Sequence, residues 1–174
     1  MPDPYHIVPV DQMPKKGDIV FVPKDNIVRL YNLCMEMTKL CVASDGVGLS
    51  AIQIGIPWKV FVIFHSSKEY RFMADCEYEP VDDVKIQSIE GCLSLRTPSG
   101  GLRTFVVPRY EKIRVVGQEL LSDGTLRLEQ FSTVYDGRLA VIYQHEIDHN
   151  SGMLISDIGE EVTLSRGETQ HAIK

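Results

Sequence analysis

His145 and His149 stand four apart in the stretch Gln144-His145-Glu146-Ile147-Asp148-His149. On a helix, that spacing puts both imidazoles on one face, close enough to hold one metal ion. Glu146 sits about 100° further round the axis. A carboxylate there stands beside a metal-bound water and can take its proton and pass it on. The bland alternative is a charged stretch on a helix surface, because so short a pattern also arises by chance. The neighbours argue against it. Leu139, Ala140, Val141, Ile142, Tyr143 and Ile147 cover most of the helix circumference, so the helix reads as buried. Buried His and Glu need partners, since an unpaired buried charge costs several kcal/mol. A metal ion would satisfy them.

Two histidines leave a catalytic metal one protein ligand short, if one position is to stay open for water. Cys92 is the candidate, in Glu90-Gly91-Cys92-Leu93-Ser94. Gly91 lets the backbone pass close to a metal or substrate. Taken alone, Cys92 reads as a buried structural cysteine. With the helix it completes a Cys-His-His set suited to iron(II) or zinc. A third element is Gly46-Val47-Gly48-Leu49-Ser50-Ala51-Ile52-Gln53. Its glycines point to a close backbone approach, and Gln53 offers an amide donor. No Lys-Ser or Lys-Thr follows, so it is not a phosphate loop. By itself it reads as a turn.

Several elements must position these residues. Residues 1–22 are rich in Pro and poorly periodic, and read as an extended arm. Residues 26–43 are predicted helical, with Asp25 as N-cap and Ile27, Leu30, Tyr31, Cys34, Met37 and Cys41 on one stripe. Ser44-Asp45-Gly46 ends it. Strands are predicted at 59–64, 70–77, 84–89, 105–107, 112–116 and 125–131. Ser122-Asp123-Gly124 marks a hairpin between the last two. Residues 94–103 read as a loop. The His-bearing helix spans 136–150, with Gly152 just past its end. The order describes an α+β fold: one compact domain over 1–174, antiparallel or mixed sheets around a central metal-binding helix near the C-terminus, and an N-terminal helix. Residues 158–174 read as a short tail.

The chain has 174 residues, enough for one ordinary domain. A net charge of −6 argues against broad contact with a phosphate backbone. No run of apolar residues is long enough for a membrane helix. The first residues lack the pattern of a secretory signal, so the four cysteines are expected reduced. Cys34 and Cys41 read as core packing.

In order and spacing, the three segments resemble the peptide deformylase family. Its motifs run G-x-G-x-A-A-x-Q, then E-G-C-L-S, then Q-H-E-x-D-H. The similarity extends from about residue 25 to residue 157 and includes Val107-Pro108-Arg109-Tyr110-Glu111-Lys112, similar to the family's V-P-R-x-E-K strand. The resemblance implies an enzyme that removes the formyl group from the formyl-methionine at the start of new polypeptides and releases formate. It implies one divalent metal on Cys92, His145 and His149: iron(II) in the cell, with zinc, nickel or cobalt in preparations. Metal-bound hydroxide would be the nucleophile and Glu146 the general acid/base. The Gln53 amide and the Leu93 N–H would stabilise the oxyanion. Val47, Gly48 and Gly91 would bind substrate as an added strand, and a Glu90–Arg109 pair would brace the Cys92 loop. The implied partners are formyl-methionyl peptides, with no membrane, and the chain acts as a cytoplasmic monomer (in a bacterium, a phage-infected host or an organelle).

Five features depart from the pattern, among them a long, Gly-rich loop at 95–104. Ser50 replaces the first Ala of the A-A pair. Asn150 stands where the family has a bulky apolar residue. Asp75-Cys76 falls where many members have Asn-Pro. The tail carries Glu160, Glu161 and Glu168 against Arg166 and Lys174, unlike the long helix of common bacterial members that meets the ribosome. Two rival readings remain. A metallopeptidase would need a later His or Glu ligand, and Glu160, Glu161, Glu168 and His171 are the residues on offer. A binding module could keep the metal without the chemistry, but Glu146 and Gln53 are both present.

Overall fold

A computed structural model describes residues 5–66, 69–164 and 173. The tail residues Arg166, Glu168, His171 and Lys174 lie outside them. In chain order the elements are α1 (Ile27–Ala43), β1 (Gly48–Ser50), β2 (Val60–Ser66), β3 (Glu69–Pro80), β4 (Lys85–Arg96) and β5 (Leu102–Tyr110). β6 (Lys112–Leu121), β7 (Arg127–Asp136), α2 (Gly137–Asn150), α3 (Ile155–Ile158) and β8 (Glu160–Val162) follow. A five-stranded sheet runs β1-β2-β3-β6-β7, and a three-stranded sheet runs β4-β5-β8. Every strand pairing between them is antiparallel. This is the expected α+β class, with α2 lying between the sheets and touching strands of both.

The first helix starts one residue later than expected. Asn26, not Asp25, is the cap, because its side chain reaches the Arg29 N–H at 2.9 Å. The buried stripe is Leu30, Leu33, Cys34, Met37 and Cys41, which packs on β1, β2 and the turn after β1. Tyr31 is only half-buried beside it. The N-terminal segment is less extended than its prolines suggested. Single 3-10 turns interrupt it at Val10–Gln12 and Lys16–Asp18. It is tied to the body where the Val8 N–H donates to the Gln53 carbonyl at 2.8 Å.

The strands run longer than their sequence patterns, for identifiable reasons. In β3 the alternation is broken by a bulge between Ala74 and Glu77. Asp75 there has φ +53°, a left-handed conformation that short acidic residues tolerate. Its carboxylate accepts the Val22 N–H at 2.9 Å. In β4 the pairing with β5 shifts register between Gly91 and Arg96. That shift hid the strand character of 94–96, so only residues 97–101 form the predicted loop. Pro108 is accommodated in β5 because β8 pairs only with Thr104–Val106, leaving that part of the strand without a neighbour on that side among the described residues.

Residues Ala140–Asn150 of α2 are all buried. Ala140, Val141, Ile142, Tyr143 and Ile147 pack against Phe61, Ile63, Met73, Ile113 and Val115 of the larger sheet. The helix ends at Ser151, and Gly152 follows at φ +74°, its N–H on the His149 carbonyl. All four cysteines are free and buried. No helix among the described residues is long and apolar enough to cross a membrane.

Candidate active site

The buried helix α2 aims His145 and His149 toward the register shift of β4. Cys92 lies in that shift. The three donor atoms fall within 4.8 Å of one another, and all three residues are buried. The two Nε2 atoms are 3.2 Å apart, and Cys92 Sγ is 3.4 Å from His149 Nε2. Two imidazoles and a thiolate on one tetrahedral ion stand about 3.3 Å (N to N) and about 3.6 Å (S to N) apart, given ordinary bond lengths. These two distances match such an ion, and the donor set suits a divalent metal. Without one, burial opposes a charge on His145, but Cys92 and Glu90 outweigh it and lift its pKa to about 10. His149 is held neutral, first by burial and then by the charge on His145. A metal must displace the His145 proton, so loading is favoured as pH rises.

Behind the ligands lies a buried charge network. Glu90 accepts two bonds from Arg109, at 2.8 and 2.9 Å, and faces His145 Nδ1 at 2.8 Å. Arg109 also reaches Asp148 at 2.5 Å, and the Tyr78 hydroxyl donates to Asp148 at 3.2 Å. Carboxylate on imidazole fixes the tautomer, leaving Nε2 free to ligate. Burial penalises the Glu90 charge, yet Arg109 and His145 hold its pKa down at about 2. Asp148 shares the same guanidinium and goes the other way, raised by burial. Glu146 sits deeper. Burial pushes its pKa up to about 7, with His145 opposing and Glu90 adding. Its Oε2 is buried with no hydrogen-bond partner.

Gln53 is carried by a 3-10 turn, Ala51–Ile54, that directly follows β1. Its Oε1 accepts the Ser50 N–H at 2.9 Å. Its Nε2 makes only long contacts, 3.5 Å to Cys92 Sγ and 3.4 Å to Ser94 Oγ. Those N–H groups face the metal ligands without a strong partner. Leu93 follows Cys92 within the register shift. Gly48 packs against Glu146: a Cβ there would stand 2.8 Å from its Cδ, so only glycine fits without displacing the carboxylate. β1 ends its sheet, so its outer edge has no strand beside it among the described residues. The Val47 carbonyl is held by the Phe64 N–H at 2.7 Å, which leaves Gly48 to present backbone groups outward. Val47 is partly buried, packed against the cluster that contains Val141. Gly91 meets the chain's own Ile173: its N–H donates to the Ile173 carbonyl at 2.6 Å, and the Ile173 N–H donates to Ile89 at 3.0 Å. On another side, Val10, Met13 and Lys16 join Ile52, His149 and Leu154 around a cavity of about 230 Å³.

A model of the polypeptide deformylase family matches residues 10–163. The chain belongs to that family. It is 33% identical over 134 residues to the peptide deformylase of Desulfotalea psychrophila, covering 74% of this chain and 72% of that one. With the peptide deformylase of Maricaulis maris it shares 32% over 150 residues, 83% of this chain and 76% of that one. The fold is similar to the crystal structure of peptide deformylase from Thermotoga maritima, with a TM-score of 0.73 and 28% identity over 88% of this chain and 96% of that chain. Deformylases are hydrolases that remove the formyl group from a peptide N-terminus, and this chain is an enzyme of that class. The site it carries is the family's kind: Cys, His and His around a place for one metal ion.

Three participants escaped the sequence reading: Asp148, Tyr78 and Asn150. Asp148 had a signal. A carboxylate on a helix read as buried requires a cation, and the deformylase strand containing Arg109 supplies it. Tyr78 had none, because its role follows from the path of β3. Asn150 had been singled out only as a departure.

Proposed function

We propose that this deformylase acts on formyl-methionyl peptides as they are made, in the cytoplasm and as a monomer, with iron(II) as its metal in the cell. Residues 1–174 are read as one catalytic unit. A transient contact with the ribosome belongs to the same reading. One observation carries the reading. Cys92, His145 and His149 converge beside Glu146, a buried carboxylate with an unpartnered oxygen. A thiolate with two imidazoles suits iron(II), and zinc, nickel and cobalt take the same donors.

The metal, when bound, supplies Lewis acidity that polarises the formyl carbonyl and lowers the pKa of water. The residues do the rest. Glu146, near neutrality, takes a proton from the attacking water. Oxygen adds to the formyl carbon, and the charge that develops on the carbonyl oxygen is met by the Gln53 Nε2 donors and the Leu93 N–H. Glu146 then returns the proton to the amine nitrogen as the C–N bond breaks. Formate and a free methionine N-terminus leave. Gly48 and Gly91 hold the peptide as an added strand, and Val47 contributes an apolar wall. Glu90 keeps His145 in register.

The test is formate release from formyl-Met-Ala-Ser, using protein loaded anaerobically with iron(II) and separately with nickel(II). Turnover is expected with both. Glu146→Gln should lose about 10²–10⁴-fold in kcat with one metal still bound. A folded, loaded protein that binds the peptide without cleaving it would favour the binding-module reading instead.

A further inference from the structure

Two of the positions that depart from the family's pattern, Ser50 and Asn150, meet in space. They are 100 residues apart in sequence, yet Ser50 Oγ donates to Asn150 Oδ1 at 2.9 Å. Both are buried, at 0% and 2% exposure. Ser50 is also bound to Gln53. Its backbone N–H donates to Gln53 Oε1 at 2.9 Å, at the start of the 3-10 turn that carries Gln53. Asn150 is the last residue of α2 and follows the ligand His149. The contact therefore joins the turn that aims Gln53 to the helix end that aims His149.

The pair is not an efficient way to fill space. Asn150 Nδ2 is buried and has no partner. A small apolar residue opposite a larger one would fill this place without leaving a polar atom unsatisfied. What the polar pair adds is direction. A hydrogen bond fixes angle as well as distance, and in a buried setting it selects one arrangement of the elements that it joins.

We propose that Ser50 and Asn150 are a positioning pair that sets the Gln53 amide against the metal-ligand end of α2. They act on turnover through Gln53 rather than on peptide binding. This rests on the reading of Gln53 as an oxyanion donor.

The experiment uses the nickel-loaded full chain and formyl-Met-Ala-Ser. Ser50→Ala, Asn150→Leu and the double variant are compared with wild type for kcat, KM, metal content and melting temperature. The same substitutions are repeated on Gln53→Ala. Each single variant should lower kcat about tenfold, with KM within about twofold and one metal retained, because a slightly misdirected donor weakens only the transition state. The double variant should lose about as much as either single variant, since each of the three lacks the same contact. On Gln53→Ala, Ser50→Ala should change nothing further. Melting temperatures that fall while kcat per bound metal stays at the wild-type value would overturn the proposal and leave the pair structural. So would single effects that multiply in the double variant, or that persist without Gln53. An inactive wild type would instead sink the deformylase reading itself.

Discussion

At the scale of single residues, the site is set by two kinds of close approach. Gly48 yields its side-chain space to Glu146, whose Cδ a Cβ would approach to 2.8 Å. Gly48→Ala should therefore leave the fold intact and reduce kcat by about 10²-fold, the scale of loss that misplacing a reacting group produces. Steady-state kinetics beside a melting curve would check both halves. Buried thiols give a second prediction. Burial raises the pKa of Cys34, Cys41 and Cys76 from an ordinary 9.0 to about 12. A raised acid pKa favours the folded state fully below about pH 9 and loses that contribution as pH climbs toward 12. Each thiol should cost about 1 kcal/mol of stability by pH 10. The fall in urea midpoint from pH 8 to pH 10 should shrink when Cys34 is replaced by Ala. The ligand residues themselves were legible in sequence, because H-E-x-x-H and E-G-C-L-S put unusual donors at fixed spacings. Asn150 as a partner of Ser50 was not. No local pattern joins residues so far apart in the chain.

At the scale of elements, the buried ion network is the joint that matters. Arg109 on β5 reaches Glu90 on β4 and Asp148 on α2, so one side chain ties the small sheet to the metal-bearing helix. Arg109→Met removes a buried cation and leaves two carboxylates facing each other. The expected destabilisation is about 3–5 kcal/mol, the usual result of breaking one partner out of a buried pair. Chemical denaturation would measure it. A loss below about 1 kcal/mol would mean that water repays the missing charge. Element types were readable from periodicity, and α2 was read as buried because its apolar residues surround it. Strand lengths were not readable. The bulge at Asp75 and the register shift after Gly91 break the alternation that marks a strand, and both are held by contacts from elsewhere, such as Val22 on Asp75.

At the scale of the whole molecule, the metal belongs to the stability of the protein as well as to its chemistry. Four groups that can carry charge, Glu90, Arg109, Glu146 and Asp148, are buried around the donor set. An ion that binds only the folded form adds stability in proportion to the logarithm of its saturation, about 4 kcal/mol at a thousandfold excess over its dissociation constant. Chelation should lower the melting temperature by several degrees. Adding nickel(II) back should restore it, and loading should improve as pH rises because His145 must give up its proton. The α+β class was legible from the order of elements. Sheets around a central helix were expected too, but which strands belong to which sheet was not legible, since nothing local in β4 and β5 says that they part from β3 and β6.

The contact of Ile173 with β4 has a consequence for how this enzyme meets its clients. The backbone edge proposed to receive a peptide at Gly91 already holds two bonds to a residue of the same chain, and the Ile173 side chain is buried in the cluster that contains Val141. A peptide claiming that edge competes with an intramolecular rival that dilution never removes. Its measured affinity is the intrinsic affinity scaled by the fraction of molecules in which Ile173 has stepped aside. Ile173→Asp should enlarge that fraction, so KM should fall while kcat holds. Short clients would gain most from the change, having the fewest other contacts with which to win the contest.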